Sequence, residues 1–243
     1  MDLVIMREGT EGFYPDRNMY DGTGEFMPDE NMALSVRKIT AHASNRIARR
    51  AFELAAQRRK KVTAIHKANC FKLTDGLFLR EVRKVAEEFP DVELEEMIVD
   101  ASAAILVRDS ARFDVICTTN FHGDILSDLV SELSGGLGLG ASINAGDELC
   151  CAQAQHGTAP DIAGQNKANP TSLILSTAML LDWLGTHKNR PVLNDAAKRI
   201  DTAIDATLGD PASRTADLGG TLSTQAFTEK VAEKLSAGAS KAS

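Results

Sequence analysis

Hydrophobic and polar positions along the chain follow two periods in alternation. Residues 2–6, Asp-Leu-Val-Ile-Met, read as a short buried strand that runs into the polar, glycine-containing stretch 7–14. Residues 15–29 hold two prolines, two glycines and four acidic side chains, which suits a loop or an exposed hairpin arm. Over residues 35–59 the apolar positions Ile47, Ala48, Ala51, Phe52, Ala55 and Ala56 recur at helical spacing, with basic residues on the remaining faces. Strands at 62–65, 92–99 and 113–118 then alternate with helices at 72–89, 101–108 and 124–133. That alternation predicts an α/β protein. Beyond Ser134 the texture changes to Gly135-Gly-Leu-Gly-Leu-Gly140, expected to be a hinge or tight turn. It lacks the strand-before, helix-after setting of a dinucleotide-binding turn. Helices are expected at 169–184, with Asn169 as cap and Pro170 in the first turn, and at 194–208 and 224–235. Residues 236–243 are small and polar, and are expected to fray.

Composition narrows the function classes. The 243 residues carry a formal net charge of −7, which disfavours a generic nucleic-acid or anionic-membrane binder. No apolar run approaches the ~20 residues that span a bilayer. Asp2 follows Met1 with no basic n-region, so no signal peptide is expected. The four cysteines, Cys70, Cys117, Cys150 and Cys151, form no C-x-x-C pair and are read as reduced thiols of a cytoplasmic protein.

Three groups of residues bear chemistry. Asp124 and Asp128 stand four apart in Asn120-Phe-His-Gly-Asp-Ile-Leu-Ser-Asp128 and so share one helix face. Such a pair suits a hard divalent cation, or else a solvated acidic helix start. His66-Lys67-Ala-Asn69 closes a strand, where α/β proteins gather ligand sites; Lys67 is a proton-transfer candidate or an ordinary surface lysine. His156-Gly-Thr-Ala-Pro-Asp161 leads to Asn169-Pro170. Its small residues admit a ligand to the backbone and Asp161 can accept from a ribose diol, or the segment is a plain surface loop.

Taken together, Arg7-Glu-x-Thr-Glu-Gly-x-Tyr14, Lys67-Ala-Asn69, Val99-Asp-Ala101, Asn120-x-x-Gly-Asp-Ile-Leu-Ser-Asp128 and His156-Gly-Thr-Ala-Pro-Asp161 stand in an order and spacing that resembles the metal-dependent β-decarboxylating dehydrogenases. That family includes isopropylmalate, isocitrate, homoisocitrate and tartrate dehydrogenases. The resemblance runs from Met1 to about Leu235. It implies an isopropylmalate dehydrogenase-like two-domain α/β sandwich with the N-terminal half of the large domain missing. Residues 1–134 would be the small dimerisation, metal and catalytic domain, and residues 135–243 the C-terminal half of the cofactor-binding domain. The implied reaction is NAD- and Mg²⁺- or Mn²⁺-dependent oxidative decarboxylation of a 2-hydroxy diacid, 3-isopropylmalate-like. The alternatives are another substrate of the same family, or a truncated non-catalytic or regulatory subunit.

Residue by residue, the resemblance implies that Arg7 clamps a substrate carboxylate and Tyr14 protonates the enol left by decarboxylation. Lys67 would help to remove the 2-hydroxyl proton in a partner subunit's site. Asp124 and Asp128 would hold the metal with Asp100 from across a homodimer with shared active sites. His156, Gly157, Thr158, Ala159, Asp161 and Asn169 would hold the adenosine half of NAD, with Asp161 disfavouring a 2′-phosphate. No nucleic-acid or membrane partner is expected. The sequence departs from the family pattern at Gln153-Ala-Gln155, where a Glu-Pro pair is usual, at Gly9 in place of Asn, and at His122 in place of an aromatic or aliphatic residue.

Overall fold

The computed structural model describes residues 1–239. They form two compact units that part between Val130 and Ser131.

The first unit is built on β1 (Val4–Arg7), β4 (Lys61–His66), β5 (Glu93–Ile98) and β6 (Val115–Thr118), in the order β1-β6-β4-β5. Every pairing is parallel. Parallel neighbours need a crossover, and helices supply it: α2 (Thr74–Ala86) joins β4 to β5, and α3 (Val99–Arg108) joins β5 to β6. Side chains alternate across the sheet. Val62, Ala64, Val115 and Cys117 face α1 (Ala41–Ala56) and α2, closing on Ala48, Ala51, Phe52, Phe78 and Val82. Ile65 and Ile116 face the other way, into Leu106 of α3 and Leu126 of α4 (Asn120–Leu133). The small residues on α1 let Phe52 reach the sheet, and Phe52 and Phe78 are wholly buried. Burying each such side chain is worth about 1.5–3 kcal/mol. The hairpin of β2 (Glu25–Asp29) and β3 (Met32–Ser35) stands apart from this core, and every one of its strand residues is exposed.

The second unit pairs β7 (Ala141–Ala145) antiparallel with β8 (Cys150–Ala154). Two serines on adjacent turns of α5 (Thr171–His187) bind this hairpin. Ser176 Oγ accepts from the Ser142 amide at 3.0 Å and donates to the Gln153 carbonyl at 2.8 Å. Ser172 Oγ accepts from the Gln155 amide at 3.1 Å. The core of this unit is Ala203 and Ile204 of α6 (Pro191–Leu208) against Phe227 and Val231 of α7 (Thr224–Ala239), with Ile174 and Leu175 of α5 packed on them.

Several boundaries differ from expectation. The helix expected from residue 35 begins at Ala41, because the Thr40 hydroxyl accepts the Ala43 amide and caps it, and the preceding residues are claimed by β3 and an extended link. The β7–β8 hairpin has no counterpart among the elements expected from the sequence. Residues 236–239, expected to fray, continue α7; residues 240–243 lie outside the described residues. No described helix is long and apolar enough to cross a membrane.

All four cysteines are free, as expected, in three environments. Cys117 is sealed in the sheet and burial pushes its thiol up to about 12. Burial also raises Cys150, while Cys70 and Cys151 are exposed. Thiol titration of the native chain at pH 8 is therefore expected to label Cys70 and Cys151 first and Cys150 more slowly, with Cys117 reacting only after denaturation. Native labelling of Cys117 as fast as Cys70 is incompatible with the described sheet.

Candidate functional site

In the first unit the candidate residues lie after the carboxyl ends of the four parallel strands. Arg7 is the last residue of β1, where it sits opposite Thr118 of β6. Its guanidinium makes three directed contacts. Nε donates to Asn120 Oδ1 at 2.8 Å, Nη1 to Asp124 Oδ1 at 2.5 Å, and Nη2 to the Tyr14 hydroxyl at 3.1 Å. Asn120 is itself buried and donates from Nδ2 to the Glu11 carbonyl at 2.8 Å, which fixes the orientation of its amide. The Arg7 chain lies flat against α4 at Gly123. A Cβ there would meet Arg7 Cγ at 2.6 Å and Cβ at 2.9 Å. Gly123 thus admits the arginine to the helix, and all three guanidinium nitrogens are engaged within the chain.

Asp124 is exposed on α4, and Asp128 is exposed one turn further on the same face. Burial holds the Tyr14 phenol above its usual value against the opposing pull of Arg7. A phenol that keeps its proton at neutral pH can act as an acid.

Lys67 comes directly after β4 and forms a second group. Its Nζ contacts Asp100 Oδ1 at 2.5 Å, and this bond holds the Asp100 carboxyl below the ordinary range. Asp100 sits in the first turn of α3, directly after β5. The turn after β4 is further held by His66, whose Nδ1 accepts from the Ala68 amide at 3.0 Å. Burial lowers the His66 pKa, which favours the neutral ring that such acceptance requires. His122, the departure from the family pattern in the α4 motif, is buried with Nδ1 at 3.4 Å from Thr119 Oγ1, and burial lowers its pKa too.

Among the described residues, no three His, Cys, Asp or Glu side chains of the one chain come together as a metal site. Asp124 pairs with Arg7 and shares a helix face with Asp128, while Asp100 pairs with Lys67 instead of joining them. Two exposed carboxylates on adjacent helical turns are hard oxygen donors, the kind that Mg²⁺ and Mn²⁺ prefer with further oxygens from substrate. The residues present therefore fit such an ion as a partial ligand set.

In the second unit, His156, Gly157, Thr158 and Ala159 line a cavity of about 260 Å³ that extends to Thr224. Ala159 adopts a left-handed φ of 42°, unusual for a residue with a Cβ and a form of strain that gathers at ligand sites. Asp161 and Asn169 are not in the cavity lining. Asp161 is exposed on the loop. Asn169 spends its side chain internally: Oδ1 accepts from the Thr171 amide at 3.0 Å and Nδ2 donates to Asp217 at 3.0 Å. Gly157, Thr158, Ala159, Ala163, Gly164 and Ala168 make much of this lining small, among the larger Ile162, Asn166 and Lys167.

Sequence pattern alone assigns no role to Asn120 and Gly123, since their work is to seat an arginine more than a hundred positions earlier. Nor does it single out Arg37 and Asp75, a buried pair beside the Lys67 turn.

The chain is similar in sequence and fold to known proteins. The sequence model described as isocitrate/isopropylmalate dehydrogenase matches residues 1–234. An isocitrate/homoisocitrate dehydrogenase of Thermus thermophilus is 47% identical over 236 residues, covering 97% of this chain and 66% of that protein. The mitochondrial NAD isocitrate dehydrogenase catalytic subunit 5 of Arabidopsis thaliana is 43% identical over 237 residues, covering 97% of this chain and 60% of its own length. The crystal structure of isocitrate dehydrogenase from Methylococcus capsulatus superposes with a TM-score of 0.85 at 41% identity, over 96% of this chain and 67% of that one. The chain thus spans roughly two thirds of the length of these relatives.

The seat of Arg7 can be tested by a double-mutant cycle. Replacing a helical glycine by alanine ordinarily gains about 1 kcal/mol, whereas overpacking costs about 1–3 kcal/mol. Gly123→Ala is expected to be neutral or destabilising in denaturant unfolding, and to become stabilising by about 1 kcal/mol once Arg7→Gly, which removes both the Cβ and the Cγ it would meet, takes away the clash. An equal gain in both backgrounds would show that Arg7 does not pack on Gly123.

Proposed function

Because the chain belongs to the isocitrate/isopropylmalate dehydrogenase family, we propose that it forms the metal, proton-transfer and cofactor-binding part of an NAD- and Mg²⁺- or Mn²⁺-dependent enzyme. The reaction is oxidative decarboxylation of a 2-hydroxy diacid of the isopropylmalate, isocitrate or homoisocitrate kind. The observation that carries this reading is the three-point seating of Arg7 against Asn120, Asp124 and Tyr14. It sets a carboxylate clamp, a protonated phenol and an exposed acidic face side by side.

In this reading residues 1–134 are the small domain and residues 135–243 belong to the cofactor-binding domain. Two copies associate so that each site draws Arg7, Tyr14, Asp124 and Asp128 from one copy and Lys67 and Asp100 from the other. The distribution of the two groups supports this, since no single chain assembles the full acidic set among its described residues. Arg7 orients a substrate carboxylate by its bidentate fork. Lys67 takes the proton from the 2-hydroxyl during oxidation. Tyr14 returns a proton to the enol carbon after carbon dioxide has left. Asp124 and Asp128, with the second copy's Asp100, would hold the cation. When bound, the cation supplies Lewis acidity toward substrate oxygens, and NAD supplies the hydride acceptor. The loop from His156 to Ala159 would hold the adenosine end, with Asn169 fixing the adjoining start of α5. Asp161 would favour a ribose diol over a 2′-phosphate, which its charge repels.

The test is NADH formation from a panel of 2-hydroxy diacids with Mn²⁺. Asp124→Asn and Asp128→Asn are each expected to weaken Mn²⁺ binding by calorimetry about tenfold or more, or ~1.4 kcal/mol. Lys67→Met is expected to lower turnover on the order of 10²–10⁴-fold while the fold persists. Unchanged Mn²⁺ affinity in both aspartate variants removes the metal assignment; near-normal rates in the lysine variant remove Lys67 from proton transfer.

A further inference from the structure

The least solvated ion pair of the first unit lies beside its candidate site, outside the residues given a role in the proposed reaction. Arg37 and Asp75 meet at 2.5 Å with side chains 5% and 0% exposed, in an ion pair that lacks hydrogen-bond geometry. The polar and ring contacts of Arg37 fall on three segments, on two sides of the guanidinium. On one side are Asp75, Thr74 Oγ1 at 3.2 Å and the Phe71 ring at 5.2 Å, all in the stretch just after Lys67. On the other are Thr119 Oγ1 at 3.0 Å and the Phe13 ring at 5.3 Å, each next in sequence to a residue that touches Arg7. Asp75 completes the link, since its Oδ2 accepts the backbone amide of Lys67 at 2.5 Å. The Lys67 carbonyl accepts the amides of Cys70 and Phe71, both at 2.9 Å, so the turn is held from both sides of its peptide.

A buried pair is a poor source of stability. Well-packed apolar residues in its place are often neutral or better, while loss of one partner is strongly destabilising. What this pair supplies instead is direction. Its carboxylate is spent on the peptide of Lys67, and its guanidinium bridges that turn to the segments that seat Arg7.

We propose that Asp75 and Arg37 are positioning residues for Lys67: Asp75 fixes the Lys67 backbone, and Arg37 ties that turn to the Arg7 group. This rests on the reading of Lys67 as the proton acceptor, and its structural content can be tested without turnover.

The first measurement is amide hydrogen exchange on the full chain, in which the Lys67 amide is expected to be as protected as the neighbouring amides of β4. The second uses Arg37→Met with Asp75→Leu, an apolar pair that removes the acceptor while sparing the fold an unpaired charge. Acylation of Lys67, read by peptide mass spectrometry relative to Lys198 and Lys230, is expected to change several-fold with the melting temperature held. Arg37→Lys, which keeps a cation on Asp75, is expected to restore the wild-type value. Where the wild-type chain turns over, the double variant is expected to lose about ten- to a hundredfold in kcat with KM little changed.

An unprotected Lys67 amide in the wild type overturns the proposal even if the double variant does not fold. So does a folded double variant with unaltered Lys67 reactivity, the result a purely structural pair predicts. A wild-type chain that shows no turnover but a protected Lys67 counts against the proposed reaction and leaves the positioning intact.

Discussion

Parallel pairing is the constraint that creates the candidate site of the first unit. Strands that all run one way must each leave the sheet at the same edge, so the segments downstream of the strands collect there. The order β1-β6-β4-β5 then sorts the side chains. β1 and β6 are neighbours, and they deliver Arg7 and the start of α4; β4 and β5 are neighbours, and they deliver Lys67 and Asp100. The two groups are thus a product of strand order. An antiparallel arrangement of the same segments would have scattered them to opposite ends.

The ion pairs at this edge differ in kind. Arg7–Asp124 is open to solvent, with side chains 32% and 55% exposed, and pairs of this sort add little to stability. In the proposed reaction their value would lie in being available, since a substrate carboxylate or a cation could take the place of either partner at small cost. Arg37–Asp75 is the reverse, dehydrated and unavailable, and suited to holding a shape. Exchangeable contacts at the surface resting on a fixed pair beneath them are a sound division of labour for a site that must bind and release.

Much of this is legible in the sequence. Periodicity gives the strand–helix alternation of the first unit, because buried parallel strands read as apolar runs between amphipathic helices. The β7–β8 hairpin escapes because Ala-Ser-Ile-Asn-Ala and Cys-Cys-Ala-Gln-Ala hold a single β-branched residue, Ile143, and no aromatic one, and because serine hydroxyls on α5 hold it. The early start expected for α1 comes from helix-compatible residues before Thr40, whose cap only geometry reveals. Of the site, the i, i+4 spacing of Asp124 and Asp128 is local and readable. The roles proposed for Arg7, Tyr14 and Asp100 come only from family resemblance, since their partners are distant or on another element. Arg37 and Asp75 have no local signal. One precedes a capped helix, the other reads as an acidic residue favoured by a helix dipole, and they are 38 positions apart.

The placement of Arg37 between Phe13 and Phe71 carries one more consequence. Mobile ions weaken attraction between charges only where they can come near, within about 8–10 Å through water at ordinary ionic strength. Roofed by two aromatic rings, this guanidinium is out of their reach, whereas Arg49–Glu88 and Arg83–Glu96 at the surface are not. Concentrated brine should therefore loosen the rim of the molecule while the spacing between the Lys67 turn and the Arg7 seat stays as it is.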